Sequence, residues 1–261
     1  MGFRIASSAL VAAFFLASGV RAAEPFSYDE WTRVLEARVD AQGLVDYDGL
    51  ARDRADLDRF LAAVAEKSPA SHPALFPTRN HELAYWVNAY NALVFHGVLA
   101  RGPERKSVWT GGLVSGYSFF VGTDIVLGGV KTNLRALENG TIREGFRDPR
   151  IHAALNCASR SCPRLPRKAF DPANLDAELD AAMAEFVAGN RNVSVDPVTR
   201  TVRLSKIFDW FERDFLDFER SRGSPDPSLI DYVNRYRGTR PAVPRDYRIR
   251  FFPYDKALNR R

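Results

Sequence analysis

The stretch 80-NHELAYWVNAYNALVFHGVLA-100 decides the fold, because its apolar side chains surround the axis of one helix. Leucine, valine, tryptophan, tyrosine and phenylalanine recur at helical spacing on every side of that axis between positions 83 and 98. A helix that is apolar all round is buried inside a protein. The sequence therefore predicts a helix from Thr78 to Ala100 at the centre of the fold.

Two amides interrupt this apolar surface. Asn88 and Asn91 share one stripe of the predicted helix with His81 and Ala84. A buried amide needs hydrogen-bond partners, since leaving it unpaired costs roughly 1–3 kcal/mol. Two interpretations are open: the amides fasten loops to the core, or they form one wall of a polar pocket.

Helical and strand patterns alternate irregularly around this central helix. There is no βαβ rhythm, which favours an α+β fold over a parallel α/β fold. We predict a single α+β domain over residues 23–261, with the buried helix packed on a small, mostly antiparallel sheet and further helices at the periphery. The local patterns predict hairpins at 116–129 and 191–205, a helix over 131–144 and a last strand at 247–252.

The first 22 residues have the pattern of a secretory signal peptide. Arg4 gives a positive start, and the apolar run from Ile5 to Val20 ends near a small residue, Ala22. The run is shorter than the ~20 residues that span a bilayer. We expect cleavage after Ala22 and an exported protein, periplasmic or secreted, without an integral membrane segment.

Charge limits the classes of partner. The chain has 37 Lys and Arg against 32 Asp and Glu, a net charge of +5. Much of the excess lies in residues 235–261, where Asp246, Tyr247 and Phe251 interrupt the basic residues. No nucleic-acid motif accompanies them. We therefore expect a solvated basic face, no nucleic-acid partner, and a small molecule or a peptide as ligand; no cofactor is predicted.

Both cysteines lie in 151-IHAALNCASRSCPRL-165. His152 and Asn156 share a face in either a strand or a helix, and the nearby Pro149 makes us predict a strand. His152 and Cys157 are poorly placed as a local catalytic pair. Five extended residues span about 16 Å, whereas proton transfer needs about 3 Å. A Cys–His mechanism would need a sharp turn near Asn156 or a base from elsewhere.

The two thiols have three possible states. Export would place them in an oxidising compartment, where two cysteines usually pair. A C-x4-C loop closes easily, and so short a ring contributes about 2 kcal/mol. We predict a Cys157–Cys162 disulfide, with a reactive thiol as the alternative. A metal site is the third state, but the histidines are scattered, so no metal is predicted.

Four segments resemble successive blocks of the domain of unknown function 547 family. Together they run from about Gly43 to Asn259. The resemblance implies a single globular domain, present in exported bacterial proteins, and brings no established activity. It also implies a distant relation to papain-like and transglutaminase-like folds. The four blocks are AYWVNAYNALVFHGVL, DPRIHAALNCASRSCPRL, LSKIFDWFERDF and FFPYDKALN.

The sequence departs from those enzymes in two places. They carry the nucleophilic cysteine near the start of the central helix, and here NHELAYWVNAYN contains no cysteine. Asn139 follows Glu138 where many relatives are expected to have histidine. If this protein is an enzyme, its nucleophile must then be Cys157, Cys162 or a water molecule.

Three functions stay open, and the sequence does not decide whether the protein is an enzyme. The first is a cysteine-dependent hydrolase or acyl transferase. The second is a non-catalytic module that binds a ligand or peptide, and the third is a thiol-redox protein, which the wide C-x4-C spacing disfavours. For the enzyme, the expected catalytic residues are Cys157 as nucleophile, His152 or another group as base, Asn88 or Asn156 as an oxyanion or orienting donor, and Glu138. Asn91 and Asn156 are the expected binding residues.

Overall fold

The structure is a computed structural model that describes residues 25–109 and 117–261. The predicted signal peptide and Gly116, the first residue of the first predicted hairpin, lie outside the described residues. Helices and short strands mix in one α+β fold, as predicted. The α-helices are α1 (Asp29–Arg38), α2 (Tyr47–Arg52), α3 (Ala55–Glu66), α4 (Arg79–Arg101), α5 (Tyr117–Gly122), α6 (Leu134–Ala136), α7 (Glu144–Phe146), α8 (Leu175–Ala188), α9 (Lys206–Trp210), α10 (Glu212–Ser221) and α11 (Leu229–Arg235). The strands are β1 (Asp124–Leu127), β2 (Val130–Asn133), β3 (Val193–Asp196), β4 (Thr201–Leu204) and β5 (Arg248–Phe251).

The central helix predicted from the sequence is α4. It begins where the Thr78 side chain accepts a hydrogen bond from the N–H of His81, and it ends at Gly102, whose φ is 98°. Most of its side chains are buried. Its main neighbours are helices α2, α3, α6 and α8 and a π-helical segment. Helices therefore occupy most of the surface of α4 where a sheet was expected, and the strands that are present have four residues each.

Two small sheets flank the helices. Strands β1 and β2 form an antiparallel hairpin, and β3, β4 and β5 form a three-stranded sheet in that order. In that sheet β3 and β4 are antiparallel, whereas β4 and β5 run parallel. The predicted hairpins and last strand are thus present, although residues 117–122 of the first hairpin segment form helix α5 instead.

The segment after β2 differs from the helix predicted over residues 131–144. It continues as α6, then as a π-helix over Leu137–Arg143, then as α7. The backbone N–H of Glu144 bonds to the carbonyl of Asn139, the five-residue spacing of a π-turn. Asn139 and Gly140 are both weak α-helix formers. Such π-turns are rare and often occur at functional sites.

The buried side chains form two hydrophobic clusters. The first surrounds α4 and includes residues of α1, α2, α3 and β1. The second joins β3, β4 and β5 to α9, α10 and α11. A short 3-10 helix, Pro149–Ala153, lies where they meet, since Ile151 belongs to the first cluster and Ala153 to the second. This boundary is where the candidate site lies.

Substitution of Gly43 tests how the close packing at the edge of the first cluster contributes to stability. Its φ is 80°, and an added Cβ would lie 2.6 Å from Cγ of Arg164 and 2.8 Å from the backbone nitrogen of Leu165. We expect Gly43→Ala to lower the free energy of unfolding by roughly 1–3 kcal/mol, measured by urea denaturation. Gly140→Ala is the matched control, because a Cβ added there would have nothing within 4 Å. Equal effects of the two changes would contradict the expectation.

Candidate functional site

The segment that carries His152 is a helical turn rather than the predicted strand. Pro149 occupies the first turn of the 3-10 helix, and the Asp148 side chain caps it by accepting a hydrogen bond from the N–H of Arg150. An aspartate cap followed by proline is a helix start, which explains why the strand prediction was wrong. The turn leaves His152 almost fully buried, with 4% of its surface exposed.

The two amides of α4 hold loops against the central helix. Asn91 donates to the carbonyl of Ala154 and accepts from the N–H of Asn156, each at 2.9 Å. Asn88 makes the same pair of bonds to the backbone of Phe170, at 2.9 and 3.0 Å. In the structure these amides therefore fasten loops. The roles predicted for Asn88 in catalysis and for Asn91 in binding stay predictions.

The side-chain amide of Asn156 also makes hydrogen bonds within the protein. Its Oδ1 accepts from the N–H of Ala158 at 2.8 Å, and its Nδ2 donates to the carbonyl of Pro163 at 2.8 Å. Oδ1 accepts in addition from Asn259, whose own Oδ1 is bonded to the hydroxyl of Tyr47. These bonds close the cysteine-containing loop on itself and tie it to a segment far along the chain.

The predicted disulfide is not present. Cys157 and Cys162 are both free. Their Sγ atoms lie 2.6 Å apart, a near contact that is longer than the ~2.05 Å of a disulfide bond. The prediction rested on an oxidising compartment, which the spacing of two cysteines cannot establish.

The two sulfurs have different hydrogen-bond partners. Backbone N–H groups of Cys157 and Ser159 donate to Sγ of Cys162 at 3.1 and 3.4 Å. The Tyr254 hydroxyl lies 3.2 Å from each sulfur. Burial raises the pKa of Cys162, but hydrogen bonds with the Cys157 thiol, the Tyr254 hydroxyl and the two backbone N–H groups outweigh burial and leave that pKa lowered. The contact with Cys162 and burial raise the pKa of Cys157.

His152 belongs to a chain of charged groups. Its Nε2 lies 2.8 Å from Oδ2 of Asp214, and Arg143 donates to both oxygens of Asp214 at 2.8 and 3.0 Å. The imidazole stacks on the ring of Phe211, with centroids 4.1 Å apart. The carboxylate and the stacked ring together fix the orientation of the imidazole.

Burial and these contacts set the protonation states. Burial lowers the pKa of His152 against the opposing effect of Asp214, so the imidazole is neutral at neutral pH. For Asp214, burial alone would raise the pKa, but hydrogen bonds from His152 and Arg143 lower it well below the usual range. A neutral imidazole held by an ionised carboxylate is the arrangement of a general base.

Glu138 lies on the π-helix and accepts a hydrogen bond of 2.9 Å from the hydroxyl of the buried Tyr90. Burial raises the pKa of this carboxyl group, against the effect of the Tyr90 hydroxyl. Its neighbour Asn139 donates to the backbone carbonyl of Arg135 and accepts from Arg143. The π-helix thus links Glu138 to the arginine that holds Asp214.

These groups surround one cavity of about 350 Å³. Six of the fifteen lining residues are Phe, Trp or Tyr, and rings from both hydrophobic clusters contribute. The lining residues are Tyr90, Trp109, Phe120, Arg135, Glu138, Asn139, His152, Leu155, Cys157, Cys162, Pro163, Ile207, Trp210, Phe211 and Tyr254.

The cavity brings together some of the predicted site residues. Glu138, His152 and Cys157 line it, whereas the three asparagines Asn88, Asn91 and Asn156 do not. The hydrogen-bond partner of His152 is Asp214, and Cys157 contacts Cys162, Ser159 and Tyr254. The imidazole and the Cys157 thiol therefore face the same cavity without being hydrogen-bonded to each other.

Several residues of the site were not predicted from the sequence. Asp214 and Trp210 lie in the block LSKIFDWFERDF, and Tyr254 lies in FFPYDKALN. Both blocks resembled the family, so a signal was present, but it assigned no role to a single residue. Arg143 and Trp109 had no comparable signal, because only folding brings them to the cavity.

Neither a metal-binding cluster nor a membrane span occurs among the described residues. Across residues 25–109 and 117–261, no group of three or more His, Cys, Asp and Glu side chains is arranged to hold a metal ion. The same part of the chain contains no helix long and apolar enough to cross a membrane.

The fold and site define an α+β protein with an aromatic cavity that holds two free thiols and a carboxylate-bound imidazole. Residues 75–187 match the family described as "Protein of unknown function, DUF547". The match confirms the resemblance and includes the first two of the four blocks. No curated protein and no solved structure matches the chain.

Proposed function

We propose that this protein is a thiol-dependent acyl-transfer enzyme, a hydrolase or transferase, acting on a small molecule bound in the cavity. One observation carries the proposal: a thiol pair and a carboxylate-held imidazole line the same cavity. A nucleophile, a base and a group that orients the base are the components of nucleophilic acyl transfer.

The hydrogen bonds give each group a part in the reaction. Asp214 holds Nε2 of His152, and among the described residues Nδ1 makes no hydrogen bond. The neutral imidazole takes the proton that the thiol loses as its sulfur attacks the acyl carbon. It returns that proton to the leaving group. Arg143 keeps Asp214 ionised and in place, so that the imidazole keeps one orientation.

The cavity walls indicate the kind of substrate. A volume of about 350 Å³ is at the lower end of the ~300–1,000 Å³ of small-molecule sites. Trp109, Trp210 and Phe211 offer flat apolar surfaces, and Glu138 with Arg135 supplies polar groups. We propose a substrate with an apolar acyl part, or a short peptide side chain, that packs against the rings.

The test compares His152→Gln with the wild type on a panel of small thioesters and esters. We expect the variant to lose about a hundredfold or more in turnover, since the general base is gone. Because the pKa of His152 is lowered, the wild-type rate should hold down to below about pH 6.5 and fall only in more acid solution. Turnover by the variant at the wild-type rate would refute the proposal, as would wild type that turns over no member of the panel.

His96→Gln is the matched control. His96 is partly buried near Arg54, away from the cavity lining, and should keep the wild-type rate. The aromatic walls also support a second candidate, a non-catalytic module that binds a ligand. Quenching of tryptophan fluorescence by an acyl compound that is never turned over would favour that module.

We also propose that the mature protein is exported, to the periplasm or beyond, as a single domain over residues 23–261. The support is the signal-peptide pattern of residues 1–22. Mass spectrometry of the protein from its native host should find the amino terminus at Ala23. A cytoplasmic protein that retains residues 1–22 would refute export.

A further inference from the structure

We infer that Cys162, not Cys157, is the sulfur that reacts with electrophiles in the cavity. The inference rests on the proposed function for its biological meaning, but the reactivity itself can be measured without a substrate. It changes the expectation from the sequence, which placed Cys157 in the role of nucleophile.

The backbone around Ala158 favours negative charge on Cys162. Ala158 has a φ of 62°, in the left-handed region that non-glycine residues rarely adopt. On either side of it, the N–H groups of Cys157 and Ser159 both donate to Sγ of Cys162. Successive N–H groups around a left-handed residue make a concavity that binds anions. Here a thiolate is the anion that fits.

Cys157 has no such support. Its Sγ donates to the Ser159 hydroxyl at 3.6 Å, and among the described residues no backbone N–H bonds to it. Tyr254 contacts both sulfurs at the same distance, so it does not distinguish them. Cys157 is partly exposed whereas Cys162 is buried, so the backbone donors, and not exposure to water, are what favour a thiolate at Cys162. The pKa of Cys162 is lowered and that of Cys157 is raised, chiefly through the hydrogen bond between the two thiols, and the backbone donors add to the lowering at Cys162.

The loop holds these donors in place. The N–H of Cys162 bonds to the carbonyl of Ser159 at 3.0 Å, and Arg191 donates to the carbonyl of Cys162 at 3.2 Å. Trp109 donates to the Ser159 hydroxyl at 2.7 Å. The Cys162 side chain still lines the cavity, although only 3% of the residue's surface is exposed. A small electrophile in the cavity can therefore reach the sulfur.

The reaction balances with the groups of the site, the substrate and water. The Cys162 sulfur forms a bond to the acyl carbon, the bond to the leaving group breaks, and the leaving group departs with the proton that the thiol lost. Water then forms the new carbon–oxygen bond, the carbon–sulfur bond breaks, and the thiol recovers its proton. His152 takes and returns the proton in each half.

The test uses iodoacetamide, which forms a carbon–sulfur bond and releases iodide. The reduced protein, freed of reductant, is treated with limiting reagent at neutral pH. Cleavage after Arg160 places Cys157 and Cys162 in different peptides for mass spectrometry. We expect the Cys162 adduct to form at least about tenfold faster, because the thiolate is the form that reacts and the backbone donors favour it at Cys162. In denatured protein the two rates should agree within about twofold.

Three variants sharpen the test. Cys157→Ser should keep fast alkylation, Cys162→Ser should leave only the slow thiol, and Tyr254→Phe should preserve the preference for Cys162. Faster or equal labelling of Cys157 would overturn the inference, and so would a folded protein in which neither thiol reacts. If Cys162 is labelled first but no acyl compound is turned over, the proposed function fails alone. If turnover survives Cys162→Ser and is lost in Cys157→Ser, the assignment of the nucleophile fails alone.

Discussion

Replacing Asn91 with alanine is expected to lower the free energy of unfolding by roughly 2–6 kcal/mol, since two buried backbone groups each lose their partner. The carbonyl of Ala154 and the N–H of Asn156 would both be left unpaired inside the protein. A loss of this size is a large part of the ~5–15 kcal/mol that stabilises a typical domain. Urea denaturation followed by circular dichroism measures the loss.

Asn80→Ala is the matched control for this change. Asn80 lies on the same helix and donates one hydrogen bond of 3.0 Å, to Asp176 near the surface. Its removal should change stability by less than about 0.5 kcal/mol. If Asn91→Ala lowered the free energy of unfolding as little as Asn80→Ala, the amide would not be holding the loop. That result would favour the interpretation of Asn91 as part of a pocket wall.

Replacing Asp214 with alanine is expected to lower stability by about 2–3 kcal/mol and to abolish turnover. Removing one partner of a buried ion pair costs about 3–5 kcal/mol. The side chain of Asp214 is 24% exposed, so solvent screens part of that effect. The variant leaves the imidazole of His152 and the guanidinium of Arg143 without their shared carboxylate. The imidazole then has no fixed orientation toward the cavity.

Asp217→Ala separates this effect from a general loss of surface charge. Asp217 lies one turn further along α10 and pairs with Arg213 and Arg220 at the surface. Exposed pairs of this kind contribute about 0–1 kcal/mol. Differential scanning calorimetry at pH 7 compares the two variants with wild type. Similar melting temperatures for both would show that the Asp214 network does not stabilise the fold.

The central helix could be predicted because its evidence is local. The apolar pattern of 80–100 and the cap at Thr78 both belong to one stretch of chain, and the hairpin around Asp196 is equally self-contained. The π-helix and the helical turn before Ala154 were not predicted. In both, contacts with other parts of the molecule decide between conformations that the local sequence leaves close in energy.

The site was less predictable than the fold. His152, Glu138 and the thiols were predicted as site residues because histidine, glutamate and cysteine are the residue types that carry acid–base and nucleophilic catalysis. Which polar groups face the cavity depends on tertiary contacts. The amide of Asn91, for example, is hydrogen-bonded to a backbone carbonyl 63 positions away. Asp214 reaches His152 across 62 positions, and no spacing rule connects two such residues.

The covering of the thiols by residues 254–259 has a consequence for biosynthesis. Tyr254 lies 97 positions after Cys157, and Asn259 lies 103 positions after Asn156. When the ribosome has made the first two hundred residues, both cysteines are present in the chain. Tyr254, which contacts both sulfurs, and Asn259, which bonds to Asn156 in their loop, have not yet been made. The finished surroundings of the two sulfurs therefore form only after residues 254–259 have been added to the chain.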